Sequence, residues 1–395
     1  MTQQPDVVIL SALRTAIGDF GGALRSQPPT RLGAIVAREA MRRAGIAPDD
    51  VEHAVFGNVI HTEPRDAYLA RVVAVEAGVP VAAPALTVNR LCGSGMQAIV
   101  SAAQMIRLGD AATALAGGAE CMSRAGHLLS TGRWGQKMGD AAASDMLVGA
   151  LTDPFGNGHM GITAENVAQS HGVSRETQDR LAAESHRRAA QAIAEGRFGA
   201  QIVPVEIADR KGTRSFDTDE HVRADVGTET LAELRPAFRK DGTVTAGNAS
   251  GINDGAAALV LMEAGEAARR KLPPIARIVA YAHAGVEPGE MGIGPVPAVR
   301  RVLEGARLRV ADLDVIESNE AFAAQACAVA ARLDLPLERT NPNGGAIALG
   351  HPVGASGAII TVKLIHELQR IGGRYGLATM CIGGGQGIAL IVERL

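Results

Sequence analysis

Short apolar runs and helix-spaced apolar stripes take turns along the first third of the chain, and this alternation narrows the fold before any single residue is considered. VVIL (Val7–Leu10) reads as a strand, Leu32, Ile35, Val36, Ala40 and Met41 recur at helical spacing, and VEHAVFG reads as a second strand. Met96, Ile99, Val100, Ala103 and Ile106 make another helical stripe, stopped by Gly109, and ATALAGG is a further strand. This order predicts the α/β class, a sheet covered by helices. The alternation resumes at AAALVLM (Ala256–Met262) and ARIVAYA. Between the two runs, residues 122–250 are rich in Gly, Asp, Arg and His and carry one clear helix. Ser174 can cap that helix, Glu176 suits its first turn and Gly196 can end it. The region reads as an inserted loop domain.

An internal echo runs through the chain at a constant offset of 262 residues. Asp50-Val51-Glu52 faces Asp312-Leu313-Asp314, Ser94-Gly95 faces Ser356-Gly357, and Leu115-Ala116 faces Leu377-Ala378. Matches between small residues arise easily by chance in a chain with 47 glycines. If the echo is structural, it predicts two similar halves stacked face to face. CGSG and GASG would then open equivalent helices with their N-termini at a shared central site.

Several function classes are disfavoured. The formal net charge is −3, so no global field draws the chain to nucleic acid or an anionic membrane, and no basic–aromatic pattern appears. No run approaches the ~20 apolar residues of a membrane span. The start, MTQQPDVVIL, lacks the pattern of a signal peptide, and IVERL matches no common targeting tail. Cys92, Cys121, Cys327 and Cys381 form no C-x-x-C pair, and the ten histidines show no metal-ligand spacing. No metal is expected, and the cytoplasm is the expected compartment.

Four stretches can carry chemistry. In NRLCGSGMQA, Cys92 stands at a helix mouth, where unpaired N–H groups and the helix dipole lower a thiol pKa. The alternative is a small buried cysteine at a tight junction. In NGGAIALGHPVGASG, His351 sits on a Gly/Pro-rich loop ahead of a helix with Ile360, Leu364, Leu368 and Ile371 on one face. It could take the Cys92 proton, or be a loop histidine satisfied by backbone. MCIGGGQGIAL reads as strand, glycine turn, strand, with Cys381 at a strand end. The glycine run is no dinucleotide site, because an apolar run and not a helix follows it. In ESNEAFAAQ, Asn319 follows a strand, and either belongs to a site or caps the next helix.

Taken together, NRLCGSG, HMGITAEN, GNASGINDGA, NEAFAAQA, NGGAIALGHPVGASG and CIGGGQG resemble the thiolase family, in its order and spacing over essentially the whole chain. FGNVIHTEPRDAYLARV and RWGQKMGD look closest to bacterial beta-ketothiolases that accept more than acetyl groups and feed polyhydroxyalkanoate synthesis. The resemblance implies a duplicated α-β-α-β-α layered core. Residues 1–121 plus 252–273 and residues 274–395 would be its halves, and 122–251 a loop domain that binds coenzyme A. It implies reversible Claisen condensation of acetyl-CoA with acetyl-CoA or another short acyl-CoA, and thiolysis of 3-ketoacyl-CoA. Coenzyme A thioesters would be substrates, with no permanently bound cofactor.

By the same resemblance Cys92 carries the acyl group, and His351 activates it and helps bind a thioester oxygen. Cys381 moves the α-proton as a base of near-neutral pKa. Asn319 holds a water that completes one oxyanion hole with His351, while the N–H groups of Cys92 and Gly383 make the other. Leu151, His159, Met160, Arg223, Thr230, Phe238, Ala246, Ser250, Met291 and Phe322 match substrate- or coenzyme A-binding positions. Arg210, Lys211 and Arg214 add positive charge to the loop domain, unless they form a plain solvated loop. A homo-oligomer is expected, a dimer or a tetramer, with RWGQKMGD in the tetramer-forming loop. Ser318, where Ala is common, Cys121, where Ser is common, and Thr230 depart from the pattern, and Ser318 could alter the Asn319 hydrogen bonds. Decarboxylating ketoacyl synthases and hydroxymethylglutaryl-CoA synthases share a related fold but use other residues beside the nucleophile. A non-catalytic acyl-CoA-binding protein would have little reason to keep Cys92, His351, Asn319 and Cys381 together.

Overall fold

The computed structural model describes residues 5–209 and 212–395, so Arg210 and Lys211 lie outside the described residues. The strand runs expected from the sequence all pair into one mixed sheet of ten strands. Starting from one edge, Ala85–Val88, His53–Gly57 and Thr113–Cys121 pair in parallel, then Asn253–Glu263 and Val7–Arg14 follow antiparallel. From the other edge, Val315–Ser318 and Tyr375–Ile382 pair in parallel, then Gln386–Arg394 and Ala276–Gly285 follow antiparallel. The two halves thus repeat one hydrogen-bonding pattern. They join at two register positions only, Val8 with Arg277 and Ile9 with Ala276. The fifth strand of the second half has shrunk to one bridge, Ile316 with Thr340.

The 262-residue echo is visible in the elements themselves. Pro48–Asp50 and Val310–Asp312 are both short 3-10 turns, and Thr113–Cys121 and Tyr375–Ile382 begin at equivalent positions. Their helices, Ser94–Leu108 and Val353–Ile371, pack against each other and against strands from both sheet halves. Helices Pro29–Ala44 and Leu69–Ala77 cover the outside of one half, and Pro295–Ala306 covers the other. The order of layers is therefore helix, sheet, helix, sheet, helix. The halves do face each other, but across this central helix pair, and they also share a sheet edge.

Burial of the central helices goes further than an amphipathic stripe suggests. Val353–Ile371 reads from sequence as apolar on one face, yet nearly every residue is buried, Lys363 and Glu367 included. A helix between two sheets has no solvent face. Lys363 Nζ is accommodated by Glu317 at 2.7 Å and by the carbonyl of Gly344 at 2.7 Å. A buried cation of this kind needs both a countercharge and a second acceptor.

The intervening region holds more regular structure than the one helix expected, including short strand pairs such as His127–Leu129 with Ala143–Asp145. Helix Arg175–Ala194 is present and Ser174 caps it through Thr177 N–H. A second helix, Met160–Ser170, accompanies it. Its buried Met160, Ala164 and Val167 keep helical spacing, but its cap is His159, whose Nδ1 accepts from Gly161 N–H at 3.1 Å. Histidine is not a usual capping signal, so the start of this helix does not show in the sequence.

The central contact depends on missing side chains. A Cβ on Gly95 would lie 2.7 Å from Ala358 N, and one on Gly357 would run into the backbone of Met96. Gly357→Ala should therefore lose stability by ~1–3 kcal/mol, despite the better helix propensity of Ala. Urea unfolding reads this directly, and an unchanged midpoint would show that the two helices slide apart freely.

Candidate active site

The close approach of the two central helices brings their N-terminal mouths together, and each mouth presents one reactive side chain. Cys92 precedes the cap residue Gly93 of Ser94–Leu108. The turn that aims it is strained: Leu91 holds φ of 43°, uncommon for a non-glycine residue. Ser94 Oγ clasps this turn, accepting from Arg90 N–H at 2.8 Å and donating to Leu91 O at 2.6 Å. Gly93 is needed because a Cβ there would lie 2.6 Å from the Ile382 side chain.

At the other mouth stands His351, and at the position equivalent to Ser94 stands Ser356. Ser356 Oγ donates to Pro352 O at 2.8 Å and lies 2.6 Å from His351 Nδ1. A hydroxyl has one proton, so Nδ1 is the donor in the second bond and Nε2 carries the lone pair. That Nε2 is buried and has no partner among the described residues. Burial lowers the imidazole pKa to about 4, so the ring is neutral at physiological pH. His351 is thus not satisfied by backbone in the way a spectator loop histidine would be. Ser356 was legible only as half of the echo, not as a functional residue.

Glu120 ties the two mouths together. Its carboxylate accepts from Asn58 Nδ2 and from the N–H groups of Val59, Ile60 and Gly354, the last in the first turn of Val353–Ile371. Burial pushes its pKa up to about 8, against the pull of those three backbone donors. Nothing in the motif GAECMS announces this role.

Cys381 lies in Tyr375–Ile382, next to the three-glycine hairpin that joins it to Gln386–Arg394, as the glycine run predicts. Gly383 follows Ile382 in this turn, and its N–H, with that of Cys92 itself, points at the Cys92 sulfur. Cys92 and Cys381 line one cavity, and the field of Cys92 is felt at Cys381.

Their protonation states differ from what the helix mouth suggests. Burial is the largest influence on Cys92 and pushes its thiol up to about 11, outweighing both N–H groups, and the Glu120 charge adds to the rise. Cys381 is also held well above the ordinary thiol range, first by burial and then by Cys92. Neither the expected thiolate at Cys92 nor a near-neutral pKa at Cys381 is found in the resting protein. Both are neutral thiols.

These groups open onto one cavity of about 450 Å3, lined by Cys92, His351, Cys381 and Gly383. Leu151, His159, Met160, Phe238, Ala246, Ser250, Met291 and Phe322 line it too, so eight of the ten expected binding positions converge here. His159 stacks on Phe238 with centroids 5.0 Å apart, and Phe238 meets Phe322 edge-on at 6.1 Å. Because His159 Nδ1 accepts from Gly161, its Nε2 is the donor. The walls are largely apolar. Leu91, Phe20 and Ile252 also contribute, and none was evident from sequence.

Arg223 and Thr230 do not reach this cavity. Both are exposed, and the Thr230 hydroxyl is engaged with Gly227 backbone at the start of a short helix. Arg223 stays close, however: Gly251, on the wall, abuts His221, two residues away. Arg214 is exposed on strand Gly212–Phe216.

Asn319 caps no helix; the helix that follows begins at Ala323 with Phe322 at its cap. Its side chain is buried, and neither Oδ1 nor Nδ2 has a partner among the described residues. It does not line the main cavity but a small space of about 10 Å3 that Ser356 also lines. Ser318 makes no hydrogen bond to Asn319; its backbone N–H and C=O both pair with the Asn341 side chain. Cys121 is buried at the end of its strand and is not on the cavity. Among the described residues no cluster of side chains could hold a metal ion.

The sequence matches the family described as Thiolase, N-terminal domain over residues 7–265 and Thiolase, C-terminal domain over 272–394. It is 63% identical over 391 residues to Beta-ketothiolase BktB of Cupriavidus necator, covering 99% of each chain. The fold superimposes on the Bacillus anthracis acetyl-CoA acetyltransferase with a TM-score of 0.98, at 47% identity and full coverage of both chains. It matches human mitochondrial 3-ketoacyl-CoA thiolase in complex with CoA with a TM-score of 0.96 at 44% identity, over 99% of this chain and 98% of that one. The chain belongs to the thiolase family, whose members are acyltransferases.

One property of the site can be checked without substrate. With a thiol pKa near 11, the thiolate fraction of Cys92 grows about tenfold per pH unit below that value. Alkylation of Cys92 by iodoacetamide should rise with that slope from about pH 6.5 to about pH 9, because the thiolate is the nucleophile. A rate that is flat across this window would mean that a thiolate is already present.

Proposed function

We propose that the protein is a beta-ketothiolase that joins acetyl-CoA to a short acyl-CoA and cleaves 3-ketoacyl-CoA with coenzyme A. The observation that carries this is the meeting of two neutral thiols and one neutral, unpartnered imidazole nitrogen at the end of a single apolar cavity.

The chemistry follows from those protonation states. In thiolysis, Cys92 Sγ attacks the 3-keto carbon and its proton passes to His351 Nε2. The Cα–Cβ bond breaks, and the departing acetyl-CoA enolate takes the proton of Cys381. Cys381, now a thiolate, removes the proton of an incoming coenzyme A thiol, which attacks the acyl-cysteine. The Cys92 thiolate is released and recovers its proton from His351. Condensation is the same sequence reversed. A neutral Cys381 suits this scheme better than a resting base, since it must first give a proton.

Two oxygens gain charge at different steps. The N–H groups of Cys92 and Gly383 suit the acyl oxygen, since both already face the sulfur that carries it. For the thioester enolate, His351 and a water held by Asn319 are the fitting donors. The 10 Å3 space beside Asn319 is about the size of one water, and its side-chain atoms have no other use. One such donor is typically worth about 3 kcal/mol of barrier. The pantetheine arm fits the apolar cavity, with the nucleotide end toward the exposed Arg223 and Thr230. On this reading 122–251 serves as the coenzyme A-binding domain inserted between the two halves.

The exposed hairpin His127–Leu129 with Ala143–Asp145, and the loop it carries, support a homotetramer. Trp134 is 84% exposed and Met138 90%, and Leu128 and Leu129 of the hairpin are exposed too, large apolar side chains that an interface would cover. Four cysteines without a disulfide suit a reducing cytoplasm, and no helix of the described residues is long and apolar enough to cross a membrane. Similarity to a beta-ketothiolase supports a role in supplying polyhydroxyalkanoate precursors.

Acetoacetyl-CoA thiolysis tests the assignment of roles. Cys92→Ala should abolish turnover and yield no acyl adduct by mass spectrometry. Cys381→Ser should still gain one acetyl group from acetyl-CoA but lose condensation; no adduct, with normal exchange of the α-protons, would exchange the two roles. Light scattering of the intact protein should give about four times 40.8 kDa, and Trp134→Ser with Met138→Ser should lower it to about twice that mass. A mass of one chain would rule out the oligomer.

A further inference from the structure

A second cavity, about 570 Å3 in volume, lies between helix Arg175–Ala194, helix Ala323–Leu333 and the segment after it. None of the groups assigned to catalysis lines it. Leu181, Ala326, Cys327, Ala330, Leu335 and Leu337 make its apolar walls. Its volume is that of an ordinary small-molecule site.

The polar groups define what fits. At the deep end, the Ser318 hydroxyl is buried and has no hydrogen-bond partner among the described residues. Glu320 also lines this end, but it is occupied by Ser185 Oγ, Asn341 Nδ2 and Ile347 N–H. A second carboxylate is therefore unwelcome there, while an uncharged oxygen can pair with Ser318. At the rim, Arg188 is held by Glu184 and by the carbonyls of Leu337, Thr340 and Asn341. Arg180 is exposed and bonds only to Thr177 Oγ1, with no carboxylate in ion-pair range among the described residues. Asp334 is the remaining rim acid. The one available arginine can partner one carboxylate, and the neighbouring Asp334 disfavours a polyanion such as a nucleotide.

We propose that this cavity binds an aliphatic monocarboxylate carrying an oxygen on its chain, a hydroxy- or oxo-acid, with its carboxylate at Arg180 and its chain oxygen toward Ser318. Ser318 and Glu320 flank Asn319 in the chain, so an occupant acts one residue away from the side chain assigned to the oxyanion water. That link rests on the proposed role of Asn319; binding itself does not.

Calorimetry with 8-hydroxyoctanoate, whose hydroxyl lies at the far end of the chain from its carboxylate, in the presence of saturating coenzyme A, tests the site. One probe should bind per chain, octanoate should bind more weakly, and octylamine should not bind. Arg180→Gln should weaken binding about fivefold, roughly the upper worth of one exposed ion pair. Ser318→Ala should erase the preference over octanoate, and Ala330→Trp should fill the cavity and abolish binding. Since Arg180 is exposed, its variant folds even where Ala330→Trp does not. No saturable binding up to the solubility limit of the probe, displacement by coenzyme A, or equal affinity in Arg180→Gln would overturn the proposal. Saturating probe should also change kcat for thiolysis without changing KM for coenzyme A; binding with an unaltered kcat would leave the site standing and remove its link to Asn319.

Discussion

Everything at the active site depends on how closely two helices can approach. Gly95 and Gly357, equivalent residues of the two halves, remove the side chains that would hold Ser94–Leu108 and Val353–Ile371 apart. With their backbones in contact, the N-terminal mouths of both helices meet at one place. A thiol at one mouth and an imidazole at the other then become neighbours, although 259 residues separate Cys92 from His351. The same logic explains Ser94 and Ser356. Each hydroxyl accepts from the turn ahead of its helix and donates back to a carbonyl, so each fixes the side chain presented there. Duplication has supplied two copies of one clasp, and each half uses it for a different reactive group.

Bringing the groups together between two sheets removes them from water, and this decides their charge. Burial disfavours every ionised form, raising thiols and carboxylates and lowering imidazoles. Cys92, Cys381 and His351 all move in that direction. The helix mouth and two N–H groups favour a thiolate but do not overcome the loss of solvent. A site with its protons in place and a ready acceptor at His351 Nε2 can transfer a proton as bond formation proceeds. It need not hold a reactive thiolate at rest, where it would be exposed to oxidation.

Much of this was legible in the sequence, and the reasons differ from one element to the next. Strands and the helix Ser94–Leu108 show because their apolar periods are long and their ends are marked, as by Gly109 in the left-handed region. The hairpin after Cys381 shows because no helix follows its glycines. Helix Met160–Ser170 does not show, since a histidine caps it. The all-round burial of Val353–Ile371 does not show either, because Lys363 and Glu367 look like a solvent face until Glu317 and Asn343 are found opposite them. Arg223 and Thr230 match a motif by position but not by reach, for they sit on an exposed segment beside the cavity. The thiol pKa values could not be read at all, because a local motif reveals a helix mouth and conceals the depth at which it is buried.

Glu120 shows how the constraint extends beyond the reacting atoms. Its carboxylate gathers donors from Asn58, Val59 and Ile60 of the first half and Gly354 of the second, and so fastens the His351 helix to the frame of Cys92. Gly354 must be glycine, because a Cβ would occupy the carboxylate's place. All four partners are donors, which favours the ionised form, yet burial outweighs them and pushes the pKa up to about 8; where Glu120 does ionise, its charge opposes a thiolate at Cys92. The group that aligns the two helices therefore never favours the thiolate: neutral, it leaves the Cys92 thiol where burial puts it, and ionised, it raises it further. Alignment comes from the four N–H groups gathered on one buried carboxyl, and any residue in its place would have to accept from the same four to keep it.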